Sequence, residues 1–175
     1  MEEKTISSQR PFEGKLISVR VDTVALPSGR QATREIVEHP GAVGILAWDG
    51  QRLALVQQWR HAAGATMLEI PAGTLEPGEA ARTTAERELG EECGLGAASW
   101  EEGPSFLTAP GFCTERLTLF LATELREEPA EAPEDEDLEV SWLSMADALA
   151  AIDAGRIMDA KSLAGILWLS HRVTR

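Results

Sequence analysis

The N-terminal part of the chain shows an alternating hydrophobic pattern. Apolar and polar residues alternate from Lys15 to Leu26, and a second strand-like segment runs from Gln31 to Glu38. The turn-forming residues Pro27, Ser28 and Gly29 lie between them. Because alternation with a period of two is typical of half-buried strands, the pattern predicts an antiparallel hairpin.

Farther along the chain, the apolar runs become nearly continuous. Residues 42–48 and 53–59 flank the dipeptide Asp49-Gly50, which predicts a hairpin of two central strands. Shorter strands are predicted at residues 67–70, 100–107, 117–125 and 140–143.

Helical patterns occupy three other segments. The first runs from Glu79 to Cys93, with Gly94 as its C-cap, and the second is capped by Ser144 and ends near Ala154. Asp159 is expected to cap a last helix, whose apolar face carries Leu163, Ile166 and Leu167. Strands interspersed with a few helices predict the α/β class, as an α/β/α sandwich with a mixed central sheet and an N-terminal antiparallel hairpin. The strand order stays open.

The composition narrows the possible partners. The 175 residues include 16 Lys and Arg against 29 Asp and Glu, for a formal net charge of -13. Such a body repels phosphate backbones and anionic membranes, so we expect no nucleic-acid or membrane binding, and an anionic ligand would need a local cation. The polar first ten residues lack a secretory signal, and Cys93 and Cys113 suit a reducing compartment. We therefore expect a cytoplasmic protein.

Three glutamates crowd one side of the first predicted helix. Glu88 and Glu92 lie one turn apart, and Glu91 follows Glu88 by three residues, near the helix end where the dipole disfavours negative charge. We expect a positive group between them, and a hard divalent cation suits carboxylate oxygens. The alternative is a solvated surface helix whose glutamates only keep the protein in solution.

The spacing of these residues resembles a known motif. Gly73, Glu79, Arg87-Glu88-Leu89, Glu91-Glu92 and Gly94-Leu95 stand at the positions of a complete Nudix box. Four flanking segments are similar to the ADP-ribose pyrophosphatase branch of that family; these are residues 35–40, 57–60, 69–73 and 110–112.

The resemblance implies a reaction and its metal ions. This branch would split ADP-ribose into AMP and ribose 5-phosphate. The matching metal ligands are Glu88, Glu91, Glu92 and the backbone carbonyl of Ala72, for two or three Mg²⁺ or Mn²⁺ ions. Residues 41–175 would form the Nudix hydrolase domain, and residues 1–40 the N-terminal strands of a homodimer with a swapped hairpin.

The resemblance also implies further site residues. The general base would be Glu134 or Glu136 in an acidic loop, with Glu91 as the alternative. Arg60 would hold the diphosphate and Trp59 would stack on the base. Further substrate contacts are implied for Lys15, Glu35 and Gly111. Because the chain contains no tyrosine, any aromatic contact to the base must come from Trp or Phe.

Two other functions remain open at this point. One is hydrolysis of a different nucleoside diphosphate sugar, such as a GDP- or UDP-sugar. The other is a nucleotide sensor that binds without catalysis.

Overall fold

The computed structural model describes residues 2–128, 130 and 137–173. Within these residues the strands, in chain order, are β1 (Lys4–Glu13), β2 (Ser18–Ala25), β3 (Gln31–Glu38), β4 (Ala42–Ala47), β5 (Arg52–Arg60), β6 (Ala65–Glu69), β7 (Ala72–Thr74), β8 (Leu95–Leu107), β9 (Arg116–Glu127) and β10 (Glu139–Ser144). The helices are α1 (Ala81–Cys93), α2 (Met145–Asp153) and α3 (Ala160–Val173).

The described residues fall into two compact units. The first comprises the residues up to Gly41 together with Phe106–Arg116, and the second comprises Ala42–Ser105 and the residues from Leu117 onward. The segment 106–116 joins the N-terminal strands through the backbone of Val37, whose N–H donates to Phe112 and whose carbonyl accepts from Thr114.

The N-terminal unit is built on a three-stranded antiparallel sheet in the order β1-β2-β3. The predicted hairpin is confirmed as β2 and β3, with Val21 opposite Glu35. β1 was not predicted, because most of its residues are polar and all of them are exposed. Backbone pairing with β2 forms this strand, and Pro11 lies within an irregularity of the register between Gln9 and Phe12, where a missing N–H is tolerated.

The second unit contains two sheets. One is mixed, in the order β7-β4-β9-β8, with β4 parallel to β9 and antiparallel to β7, and the other has the order β10-β5-β6. The predicted pairing of residues 42–48 with 53–59 is therefore wrong. An isolated bridge between Trp48 and Leu53 joins the two segments next to the turn, and the rest of the two strands pair with other strands. Both edges of β4 are taken by β7 and β9, so β5 pairs with β6 and β10 instead.

Helices cover both faces of β4, which gives the three layers that the sequence predicted. Val43 and Ile45 pack with Ala85 and Leu89 of α1. On the opposite face Gly165 of α3 approaches closely, since a Cβ there would lie 3.2 Å from the Leu46 and Ile70 side chains. No helix in the described ranges is long and apolar enough to cross a bilayer.

The predicted helix caps are confirmed. Gly94 ends α1 in the left-handed conformation, with φ of 64°. The Ser144 hydroxyl accepts from the N–H of Asp147, and the Asp159 carboxylate accepts from the N–H of Ser162. Leu167, expected on the apolar face of α3, is exposed instead, and Leu169 is buried.

Candidate active site

Strand β7 and helix α1 meet at Gly73 and Glu88. A Cβ built on Gly73 would lie 1.9 Å from the carboxyl carbon and from one carboxyl oxygen of Glu88. Only a residue without a side chain leaves room for this carboxylate to lie against the strand. The glycine of the motif therefore provides the space that Glu88 occupies.

Glu92 contacts the same strand one residue earlier. Its side chain is largely buried, and its Oε2 accepts a hydrogen bond of 2.9 Å from the backbone N–H of Ala72. A buried carboxylate is acceptable where hydrogen bonds compensate for lost hydration. Consecutive residues of β7 thus place two carboxylates that lie one turn apart on α1.

Arg87 links three carboxylates of the motif. Its Nη1 donates to Glu88 at 2.8 Å and to Glu91 at 2.9 Å, while Nε and Nη2 each donate to Glu79 at 3.2 Å. The hydrogen bond with Glu79 is the main reason why the pKa of Arg87 is raised, and the same bond lowers the pKa of Glu79. An arginine of the helix itself thus offsets part of the negative charge of the motif.

The donor set fits a hard divalent ion that is shared with a ligand. Among the residues whose placement is described, no three Asp, Glu, His or Cys side chains form a metal site by themselves. Mg²⁺ usually takes one or two protein carboxylates and completes its shell with water and phosphate oxygens. Glu88 and Glu92 match that pattern. Burial, together with the charge of Glu92, raises the pKa of the neighbouring Cys93 to about 12.

A second charged group lies at the end of β5. Arg60 donates through Nε and Nη2 to both oxygens of Glu69, at 3.0 Å and 2.8 Å, and Lys161 of α3 also pairs with Glu69. Burial raises the pKa of Glu69, but the hydrogen bond from Arg60 and the charge of Lys161 outweigh it, so the net shift is downward. The carboxylate therefore stays charged although it is almost fully buried.

Trp59 lies on a different face from Arg60. Neighbouring residues of a strand point to opposite sides, and Trp59 is 58% exposed while Arg60 turns to Glu69. A shallow cavity of about 370 Å³ adjoins Trp59. Its lining consists of residues from β5, β6 and the start of β10, namely Gln57, Trp59, Thr66, Asp137, Leu138 and Glu139. The structure thus does not bring Trp59 and Arg60 together on one face.

The remaining sequence-predicted residues either belong to the N-terminal unit or lie outside the described residues. Lys15, Glu35 and Gly111 are exposed residues of the N-terminal unit. Glu134 and Glu136 lie outside the described residues. Sequence reasoning gave no role to Glu69 or Lys161. The available signal was a single charged residue between Leu68 and Ile70, where the run is otherwise apolar.

Comparisons with known proteins agree with this geometry. Residues 38–164 match the model of the NUDIX domain, and residues 3–37 match that of the nucleoside diphosphate sugar hydrolase N-terminal domain. An ADP-ribose pyrophosphatase of Bacillus subtilis is 44% identical over 97% of this chain and 93% of its own length. An ADP-ribose pyrophosphatase of Mycobacterium tuberculosis is 41% identical over 98% of this chain and 84% of its own.

Two further likenesses extend the comparison. A methanol dehydrogenase activator of Bacillus methanolicus is 40% identical over 96% of this chain and 92% of its own. A solved structure described as an ADP compounds hydrolase superposes with a TM-score of 0.89 at 20% identity, covering 99% of this chain and 95% of that one, which supports the fold. Since the family model spans most of the chain and the motif carboxylates meet at β7, the chain belongs to the Nudix hydrolase family.

Proposed function

We propose that this protein hydrolyses the diphosphate bond of ADP-ribose, giving AMP and ribose 5-phosphate, with Mg²⁺ or Mn²⁺ as the cofactor. The observation that supports it best is the placement of Glu88 and Glu92 against Gly73 and Ala72. The names of the relatives from Bacillus subtilis and Mycobacterium tuberculosis point to the same substrate.

In the proposed reaction, different side chains bind the metal ions and the diphosphate. Glu88 and Glu92, with Glu91 and the carbonyl of Ala72, would hold two or three ions, which supply charge neutralisation on the diphosphate and a more acidic water. Arg60 binds the diphosphate through its guanidinium, which suits paired phosphate oxygens. The chain itself mainly orients the diphosphate for in-line attack.

The general base accepts the proton of the attacking water. Glu91 is held by Arg87 at 2.9 Å, so its carboxylate already has a strong partner. We therefore place the base at Glu134 or Glu136 and keep Glu91 as the alternative.

The second proposal is a homodimer, in which the N-terminal unit forms the contact. Its β1 and the following turn expose the apolar side chains of Phe12 and Leu16 by 52% and 55%, which supports a contact surface in this unit. The match of residues 3–37 to an N-terminal domain of nucleoside diphosphate sugar hydrolases supports a separate role for residues 1–40 beside a hydrolase domain of residues 41–175. Lys15, Glu35 and Gly111 would contact the substrate from this unit, and Trp59 would stack on the base. The cytoplasmic location stays a prediction.

A substrate panel tests the proposed function. ADP-ribose, GDP-mannose and UDP-glucose are each incubated with Mg²⁺, with Mn²⁺ and with EDTA, and released monophosphate is measured after adding a phosphatase. We expect the highest kcat/KM for ADP-ribose and no turnover in EDTA. Faster turnover of a GDP- or UDP-sugar would mean that ADP-ribose is not the preferred substrate, although the protein would still be a hydrolase of this kind. Binding without turnover on every diphosphate would indicate the nucleotide sensor.

A further inference from the structure

The carboxylate of Glu69 is the most buried acidic group in the part of the chain that the structure describes. The residue is 1% exposed, and its two oxygens receive the Nε and Nη2 of Arg60 at 3.0 Å and 2.8 Å. This is a bidentate geometry, in which a planar guanidinium is held in position and orientation at once. Arg60 itself keeps 38% of its side chain exposed. One edge of the guanidinium is therefore anchored on Glu69, while the side chain as a whole stays partly exposed.

Helix α3 anchors Glu69 in turn. Lys161 pairs with Glu69 and also donates to Asp159 at 3.0 Å, and Asp159 caps the helix through the N–H of Ser162 at 3.1 Å. The hydroxyl of Ser162 accepts from the N–H of Ile70 at 2.9 Å. Two consecutive residues of α3 thus hold two consecutive residues at the end of β6.

The same stretch of chain continues into the carboxylate site. Pro71 accepts a backbone hydrogen bond from Ile45 at 2.8 Å, Ala72 donates to Glu92, and Gly73 adjoins Glu88. Within residues 69–73, Glu69 therefore contacts Arg60, while Ala72 and Gly73 adjoin Glu92 and Glu88. A short stretch of backbone thus connects the partner of Arg60 to the strand that holds the motif carboxylates.

Arg60 belongs to a network of two cations and two carboxylates, in which Glu69 pairs with Arg60 and Lys161, and Lys161 also pairs with Asp159. This network fixes the position and orientation of the guanidinium. A guanidinium that is oriented in advance also loses less side-chain entropy when a diphosphate binds.

From these contacts we infer that Glu69 and Lys161 are positioning residues, which orient Arg60 toward the diphosphate of the substrate. This inference rests on the proposed function, because it assigns the diphosphate to Arg60. Neither Glu69 nor Lys161 contacts the substrate; both act through the guanidinium.

A double-mutant cycle tests this inference. The wild type, Glu69→Gln, Arg60→Met and the double variant are compared by KM and kcat for ADP-ribose. We expect KM to rise about 10-fold or more in Arg60→Met and about 5- to 10-fold in Glu69→Gln, with kcat changing by less than about 3-fold. In the Arg60→Met background, Glu69→Gln should change KM by less than about 2-fold. An equal factor in both backgrounds would mean a purely structural role and overturn the inference.

A second experiment changes Lys161 and leaves the buried carboxylate of Glu69 in place. Lys161→Met should raise KM about 3-fold or more, and Lys161→Arg should restore it because the charge returns. The control is Arg52→Met. Arg52 lies on β5 like Arg60 but pairs with Asp49 at the surface, so this variant should keep the wild-type KM. If Lys161→Met also keeps the wild-type KM, the part assigned to Lys161 is wrong.

A binding measurement separates this inference from the proposed function. The affinity for ADP, which carries a diphosphate, is measured by calorimetry without metal on the same variants. If the wild type fails to hydrolyse ADP-ribose, the proposed function is wrong, but the same coupling between Glu69 and Arg60 should appear in the ADP affinity. If the wild type hydrolyses ADP-ribose and the coupling is absent from both measurements, only the inference about Glu69 and Lys161 is wrong.

Discussion

The carboxylate of Glu88 occupies the space where a side chain at position 73 would begin: a Cβ on Gly73 would lie 1.9 Å from the carboxyl carbon of Glu88. The Gly73→Ala variant must therefore displace this carboxylate. Since the displaced group is the end of a flexible side chain, we expect the thermal midpoint to change little. The value of kcat/KM should fall on the order of 100-fold, as is typical when an electrostatic contact to the transition state is lost.

Gly90→Ala is the matched control for that variant. Gly90 lies on α1, the helix that carries Glu88, and a Cβ there would meet the Cβ of Ala130 at 3.4 Å, an ordinary contact. We expect unchanged kinetics and a gain in stability of up to about 1 kcal/mol from the better helix propensity of alanine. Equal losses of kcat/KM in both variants would contradict the role given to the space at Gly73.

The second prediction concerns Glu92. Glu92→Gln keeps an oxygen that can accept from the N–H of Ala72, so we expect a folded protein with a normal circular dichroism spectrum. The kcat should fall by about 10²–10³-fold, and calorimetry should show weakened Mg²⁺ uptake in the presence of ADP. Glu86→Gln, an exposed change on the same helix, should keep both values. Full turnover by Glu92→Gln would remove Glu92 from the metal ligands.

The third prediction concerns Arg87. Without its guanidinium, Glu79, Glu88 and Glu91 lose their shared partner, so Arg87→Met should destabilise the metal-free protein by about 1–3 kcal/mol. Mg²⁺ should then raise the thermal midpoint more in the variant than in the wild type, because the ion replaces part of the missing charge. The control is Arg82→Met, whose exposed partner is Glu86. A smaller Mg²⁺ effect in Arg87→Met than in the wild type would mean that Arg87 is needed to form the metal site.

The fourth prediction concerns acid stability. The pKa of Glu69 lies below its ordinary value of 4.5, so the unfolded chain takes up this proton before the folded protein does. The stabilisation from this group is therefore complete above pH 4.5 and is lost as the pH falls through the lower folded pKa. We expect the free energy of unfolding of Glu69→Gln to fall less steeply than that of the wild type between about pH 5 and pH 3, as measured by urea denaturation. If the free energy of unfolding of both proteins fell with the same slope over this pH range, the lowered pKa of Glu69 would be contradicted.

The fifth prediction tests the homodimer. The paired change Phe12→Glu and Leu16→Glu places charge on two exposed apolar positions of the N-terminal unit. We expect sedimentation to give twice the chain mass for the wild type and a single chain mass for the variant. The variant should also lose activity if Lys15 and Glu35 act from the partner copy. A wild type that sediments as a single chain would contradict the dimer.

The sequence predicted those parts of the molecule in which local chemistry decides the outcome. Gly94, Ser144 and Asp159 end or begin helices because their conformation or side chain satisfies nearby backbone groups, whatever the rest of the chain does. The motif carboxylates were found in the same way, because their spacing on one helix is a local property.

Long-range pairing decided what the sequence could not predict. β1 consists of exposed, mostly polar residues and depends on its pairing with β2. Strand β5 pairs with β6 and β10 because β4 is already occupied. The contact of Lys161 with Glu69 joins residues 92 positions apart, so no local pattern reveals it. The bond of Arg87 to Glu79 could not be predicted from helix spacing, since it depends on how the preceding loop returns to the helix.

The arginine at position 87 has a consequence for how the chain matures. Because an internal counter-ion already offsets part of the negative charge on the acidic turn of α1, we expect the polypeptide to reach its native form without a divalent ion. Metal binding would then follow folding, unlike the behaviour of small zinc domains that stay unfolded without their metal.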